Sequence, residues 1–246
     1  MHEFRNCLPT FSLLVALILA FSPPAMADED TAADHLLQAE VALQSDDLLT
    51  AVVEYRKAAE LSDSIELARN ATRRAFDFGF NEEAVKAAQR WVDLDPTSDE
   101  ALVHLGQIQL RLGDVRSSRR SFAELIKRGE QPPDERLFSL MSFISQEDPQ
   151  HADELMRALA KPYEDSALAQ YSVAAVALQA DDVDFAMARA KRAMELDPDW
   201  LKPKLIYARA MLIAAKLTRP SITRRASSAM PRIRIPMPAW SSHCCT

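Results

Sequence analysis

Residues 101–114 read ALVHLGQIQLRLGD, and residues 186–198 read AMARAKRAMELDP. In the first string the apolar side chains recur at helical spacing and stop at a Gly113-Asp114 turn. In the second, Ala186, Ala190 and Ala193 fall four and then three residues apart. That spacing puts small side chains on one face of a helix, which then ends at Leu196-Asp197-Pro198. Working outward, the small residue at 186 has counterparts at Ala152, Ser118, Ala84 and Ala51, with spacings of 34, 34, 34 and 33. Each follows an acidic or glycine turn, in the strings SDDLLTA, FGFNEEA, LGDVRSS, EDPQHA and ADDVDFA. Four residues after each come Tyr55, Ala88, Phe122, Met156 and Ala190, and three further on come Ala58, Trp91, Leu125, Leu159 and Ala193. Each small residue thus falls in the first turn of a helix that recurs along the chain. One hairpin cannot bury its own apolar face, so neighbours must stack.

The pattern resembles the tetratricopeptide repeat, a helix–turn–helix unit of 34 residues. The Leu105-Gly106 pair and the Gly113-Asp114 turn carry the resemblance best. It implies an all-α fold, a TPR α-solenoid of hairpins wound as a right-handed superhelix. Five repeats are expected at 32–64, 65–98, 99–132, 133–166 and 167–200, and a further first helix at 201–215. Small residues are required where the two helices of a hairpin approach. Ala39, Gly106, Ala174 and Ala208 fill that role on first helices, and the Ala51 series fills it on second helices. The fourth repeat departs from the pattern, with Leu140 at the small position and no glycine in its turn.

The two ends differ from the middle. Residues 1–27 read as an export signal: Arg5, the apolar run Phe11–Phe21, Pro23-Pro24, then Ala25-Met26-Ala27 as a cleavage site. The alternative is an uncleaved anchor or a buried helix, and the 11-residue run is short against the ~20 residues a bilayer needs. Residues 216–246 hold six Lys or Arg, four Pro and no acid, and show no helical or strand period. Between the ends, residues 28–215 carry 22 basic and 35 acidic residues, a net charge of −13 against −7 for the whole chain. So acidic a body does not suit nucleic acid. It also has no cysteine, as fits a chain exported to an oxidising compartment without disulfides. The expected location is periplasmic or secreted, with outer-membrane association open.

The repeat breaks off at Ala215 in mid-hairpin. Residues 214–226 (AAKLTRPSITRRA) can be encoded so that one extra base in the Ala215 codon restores a glycine turn and a second helix. The tail is therefore expected to be out of frame, with a natural disordered tail as the alternative. The apolar side of helix 201–215 is then expected to favour self-association. The string at residues 67–96, LARNATRRAFDFGFNEEAVKAAQRWVDLDP, is similar to larger envelope-located tetratricopeptide proteins of Gram-negative bacteria.

Catalytic chemistry finds little support. The four glycines cannot assemble a GxGxxG, a GxxxxGK[ST] or a GxSxG motif. His35, His104 and His151 lie in different repeats, without metal-ligand spacing, and read as packing or surface residues. Cys244 and Cys245 lack partner ligands. The paired acids Asp46-Asp47, Glu82-Glu83 and Asp181-Asp182 sit where they cap helix N-termini. No cofactor, metal or small-molecule substrate is expected, and the chain reads as a non-enzyme.

The resemblance implies a concave groove lined by first helices. In its register the groove takes Arg69 and Arg73, then Val103, Gln107 and Arg111, then Leu137 and Met141, then Tyr171, and Arg209 on the last helix. Arginine, tyrosine and methionine suit peptide contact; an ordinary solvated helix face is the plain alternative. The Lys/Asn carboxylate clamp of chaperone-tail binders is missing, since its positions read Glu40, Arg73, Gln107, Met141 and Ala175. The expected partner is a protein or peptide of the cell envelope. Alternatives are a scaffold for outer-membrane or pilus assembly, and a recruiter or regulator of a cell-wall or polysaccharide enzyme.

Overall fold

The computed structural model describes residues 31–218. The expected export signal lies outside them, as does all but the start of the 216–246 tail. Among the described residues there are eleven α-helices, one short 3-10 turn and no strand. The helices are α1 (Ala32–Gln44), α2 (Leu48–Glu60), α3 (Ile65–Asp77), α4 (Asn81–Leu94), α5 (Asp99–Arg111) and α6 (Val115–Arg128). After them come α7 (Pro133–Ile144), α8 (Pro149–Ala160), the 3-10 turn Lys161–Tyr163, α9 (Ala167–Gln179), α10 (Val183–Leu196) and α11 (Leu201–Thr218). First helices thus begin at 32, 65, 99, 133, 167 and 201, which is the 34-residue period in three dimensions.

Local chemistry sets these starts. Hydroxyls cap the first helices α1, α3, α5 and α9, and aspartates cap the second helices α2, α6, α8 and α10. The backbone N–H groups of Leu67, Ala101 and Ala169 donate to the side chains of Ser64, Ser98 and Ser166, each at 3.2 Å. Those of Thr50, Ser117 and Phe185 donate to Asp47, Asp114 and Asp182 at 3.2, 3.0 and 3.3 Å. Thr31 and Asp34 form a reciprocal capping box at the start of α1. In the three-residue turns, the residue before Asp47, Phe80, Asp114 and Asp182 turns left-handed. That place is taken by Gly79 and Gly113 at φ 80° and 79°, and by Asp46 and Asp181 at φ 61° and 62°.

The chain divides into two compact units, one ending at Leu112 and the other beginning at Gly113. The boundary falls inside the third repeat. In the first unit α1 packs on α2, α3 on α4, and consecutive hairpins meet through α2–α3 and α4–α5. Its core is built mostly of alanine around two large rings. Ala39, Ala51, Ala59, Ala68, Ala71 and Ala87 surround Tyr55 and Trp91, both about 2% exposed. In the second unit α9 packs on α10 and α10 on α11, while α8 joins α9 and α6. The small residues predicted for the second helices are buried throughout: Ala51, Ala84, Ser118 and Ala186 are 0% exposed and Ala152 is 1%.

Two sequence expectations need adjustment, and the fourth repeat differs from the others as its sequence does. Ala208 is exposed, unlike Ala39, Gly106 and Ala174 at the same register. It faces the place where a second helix of its own hairpin would pack, and no described element lies there. Helix α11 runs to Thr218, three residues past the expected end. In the fourth repeat, α7 and α8 are each 12 residues long and their turn has four residues instead of three. Leu140 is buried in the seam, and the α7–α8 contact is much thinner than that of the α1–α2, α3–α4 or α9–α10 hairpins. Leu140 stands there where alanine, threonine or glycine stands in the other repeats.

Candidate functional site

In the first unit the predicted arginines do share a surface, but each already has company. On α3, Arg69 bonds Glu66 one turn earlier, and Arg73 bonds Glu100 at the start of α5. His104 Nε2 lies 4.0 Å from the same Glu100 carboxylate. The Arg111 guanidinium lies over the Phe76 ring, 4.0 Å from its centroid. Phe76 in turn meets the His104 ring edge-on at 5.9 Å, and Trp91 backs His104 at 5.7 Å. Beside them Arg74 covers the Tyr55 ring at 4.5 Å, and the Tyr55 hydroxyl donates to Glu40. Burial and that carboxylate acceptor push the Tyr55 pKa up to about 12.

His104 is the packing histidine of this face. Burial between the rings holds its pKa below the ordinary imidazole value. Glu100 opposes the shift and Arg73 adds to it. Its Nδ1 is buried with no hydrogen-bond partner. His35 is also structural, its Nδ1 lying 2.5 Å from Glu54 Oε2 across the α1–α2 seam. Burial pushes Glu54 up, but bonds from Lys57 and His35 outweigh it and leave the carboxyl below its usual range. Among the described residues no group of His, Cys, Asp or Glu converges to hold a metal ion. Nor is any described helix long and apolar enough to cross a membrane.

In the second unit the corresponding face is aromatic. Tyr171 on α9 stacks against Trp200, ring centroids 4.8 Å apart. Phe138 on α7 closes the triad at 5.9 Å from Tyr171 and 6.2 Å from Trp200. The Lys202 ammonium stands 5.2 Å over the Phe138 ring. All three rings are half-buried, and burial raises the Tyr171 pKa. Met141 is half-buried on the next turn of α7, and Arg209 is exposed on α11.

Two of the nine predicted groove residues cannot be contacts. Leu137 is 0% exposed, and Phe138, the next residue, takes the half-exposed place. The α7–α8 contact, beside which this exchange occurs, is thin. Gln107 is 6% exposed, beside the buried Gly106. His104 and Arg111, one turn to either side, hold the half-exposed and exposed positions instead. Val103 is half-buried. Sequence reasoning missed Tyr55, Phe76, Phe138 and Trp200 as ring neighbours of the surface. Phe76 and Arg111 stand 35 apart, one repeat and one residue, and that spacing is the signal that pairs them.

The geometry defines a class: stacked 34-residue helical hairpins of tetratricopeptide type, with polar and aromatic side chains gathered on their first helices. No family model matches the chain, and no curated protein does. Among solved structures, MamA aligns at 16% identity over 68% of this chain and 92% of its own, TM-score 0.38. YrrB, a TPR protein with an unusual peptide-binding site, aligns at 15% identity over 79% and 96%, TM-score 0.37. The TPR2AB domain of yeast Sti1, in complex with an HSP90 peptide, aligns at 16% identity over 75% and 84%, TM-score 0.31. None of these three scores reaches 0.5, so the fold assignment rests on this chain's own helix spacing and hairpin contacts.

Proposed function

We propose that the protein is a non-enzymatic, exported binding module that takes a peptide segment of an envelope protein on its first-helix faces. Hairpin arrays of this type present extended surfaces suited to chain-like partners. The observation that carries the reading is the α3–α5 face. Arg111 covers Phe76 beside His104 there, and Arg73 pairs with Glu100, whose charge Arg69 also feels, within an acidic body. Acidic side chains of a partner would displace Glu66 and Glu100 from the two α3 arginines. Exchange of this kind costs little, because solvent-exposed ion pairs contribute only about 0–1 kcal/mol. The Phe138–Tyr171–Trp200 triad offers a second, aromatic contact on the other unit. The export signal expected at 1–27 and the cysteine-free body support a periplasmic or secreted location. The reading is tested with a peptide selected from a displayed library: Arg69→Glu with Arg73→Glu abolishes its capture while helicity is unchanged. Capture equal to wild type rejects the α3 face.

A second reading is an assembly scaffold. It is favoured by the apolar side of α11, where Leu201, Leu205 and Leu212 are 66–69% exposed and Met211 is 52% exposed. Light scattering that shows mass rising with concentration, and falling back in a Leu205→Lys, Leu212→Lys variant, supports this reading. Constant monomer mass removes it.

A further inference from the structure

The second unit holds a pocket that uses none of the first-helix contacts above. Its walls come from α8 (Arg157, Ala160), the 3-10 turn (Lys161) with Glu164 after it, α9 (Gln170, Val173) and α10 (Phe185, Arg189). It encloses about 300 Å³, the small end of the ~300–1,000 Å³ range of ligand sites. One side is apolar, made by the Phe185 ring, Val173 and Ala160. The rest is charged, and the charges are unevenly satisfied.

Arg157 is neutralised. Its Nη2 bonds Asp153 at 2.7 Å and Asp182 at 2.8 Å, and its guanidinium carbon stands over Phe185, 3.6 Å from the ring centroid. Arg189 covers the same ring at 4.7 Å and has no carboxylate partner among the described residues. Instead its Nη1 donates to Gln170 Oε1 at 3.3 Å. Gln170 is only 4% exposed, and its own Nε2 donates to the Glu164 carbonyl at 2.8 Å. A buried amide, fixed at both ends, therefore holds an unneutralised arginine at the pocket wall. Lys161 is exposed at the rim and likewise forms no ion pair among the described residues. Glu164 contributes one unpaired carboxylate, on an exposed residue, against these two cations. Surface arginines elsewhere in this acidic chain pair readily with carboxylates, as Arg56, Arg73, Arg90 and Arg192 do. Arg189 is held in its amide clamp with donors to spare.

We propose that this pocket binds a carboxylate carried on a small aliphatic body, the oxyanion meeting Arg189 and Lys161 and the aliphatic part lying on Phe185 and Val173. A planar guanidinium suits a carboxylate, and the apolar wall separates such a ligand from a bare anion. The end of a peptide chain and a free short-chain acid share this chemistry.

The test is calorimetry on the full chain with four probes: N-acetyl-Ala-Leu as the free acid, the same dipeptide as its C-terminal amide, hexanoate, and inorganic phosphate. The proposal expects the dipeptide acid, hexanoate or both to bind at least tenfold more tightly than the amide and phosphate. Whichever acid binds more tightly identifies the source. Lys161→Gln and Arg189→Gln should each weaken that binding at least fivefold with helicity retained, and Arg119→Gln on α6 should leave it unchanged. Lys161 is exposed, so its variant reads the site without threatening the fold. Acid and amide binding alike, phosphate binding as tightly as the acids, no binding of either acid, or Lys161→Gln binding as wild type would each overturn the proposal.

Discussion

Ala174 and Ala208 occupy the same register on successive first helices, but Ala174 is 0% exposed and Ala208 is exposed. Replacing each by leucine separates the demands of the hairpin seam from those of helix propensity, which barely changes between the two residues. Leucine adds three carbons. With room to bury them, each would contribute about 0.8 kcal/mol, a gain of about 2.4 kcal/mol. The seam has no such room: α9 meets α10 through Ala174, Ala177, Ala186 and Ala190, all 0% exposed. Overpacking of a filled seam costs about 1–3 kcal/mol. In a unit near 100 residues, each kcal/mol moves the melting temperature by about 4–8 °C. Ala174→Leu should therefore lower Tm by at least about 4 °C in a circular-dichroism melt at 222 nm. Ala208→Leu should move Tm by no more than about 2–4 °C, and by less than Ala174→Leu, since exposed positions away from special features change stability by about 0.5 kcal/mol or less. A stable Ala174→Leu, or equal losses in both variants, would refute the close-seam reasoning.

Other consequences are quicker to check. Asp181 holds the left-handed turn that glycine holds at 79 and 113, so Asp181→Gly should raise stability by up to about 1 kcal/mol in urea titration. Gly113→Ala should do the reverse by about 1–2 kcal/mol, since its φ is 79° and a Cβ there would stand 3.2 Å from the His151 ring. Because His104 has a depressed pKa in the folded chain, the unfolded chain binds its proton first on acidification. Its contribution is complete above the ordinary imidazole value near 6.5 and is lost as pH falls through the folded pKa. The urea midpoint should accordingly drop further between pH 7.5 and 5.5 in wild type than in His104→Gln, and parallel drops would show that His104 is not the group responsible.

Much of this molecule could be read from its residues because the repeat writes its own punctuation. Ser64, Ser98 and Ser166 stand one residue before α3, α5 and α9, while Asp47, Asp114 and Asp182 stand one before α2, α6 and α10. Small residues in phase located the seams, because only they allow helix backbones to approach. The surface was harder to read. Register placed Leu137 in the groove, but register assumes every hairpin packs alike, and Leu140 breaks that assumption. Trp200 lies outside any helix, so no helical period points to the triad it completes. The ion pairs carry a regularity that went unread. Arg56 with Glu83, Arg73 with Glu100, Asp63 with Arg90 and Asp165 with Arg192 are each 27 apart. That is one repeat less two helical turns, the offset that brings side chains of neighbouring repeats together.

The central claim is that a partner peptide lies on first helices. Backbone amide shifts of the labelled chain, recorded as a display-selected peptide is titrated, test it most directly. The account predicts perturbations concentrated on α3 and α5 around Arg69, Arg73 and Arg111, or on α7 and α9 around Phe138 and Tyr171, with α4 and α10 quiet. A footprint confined to the second helices would contradict it.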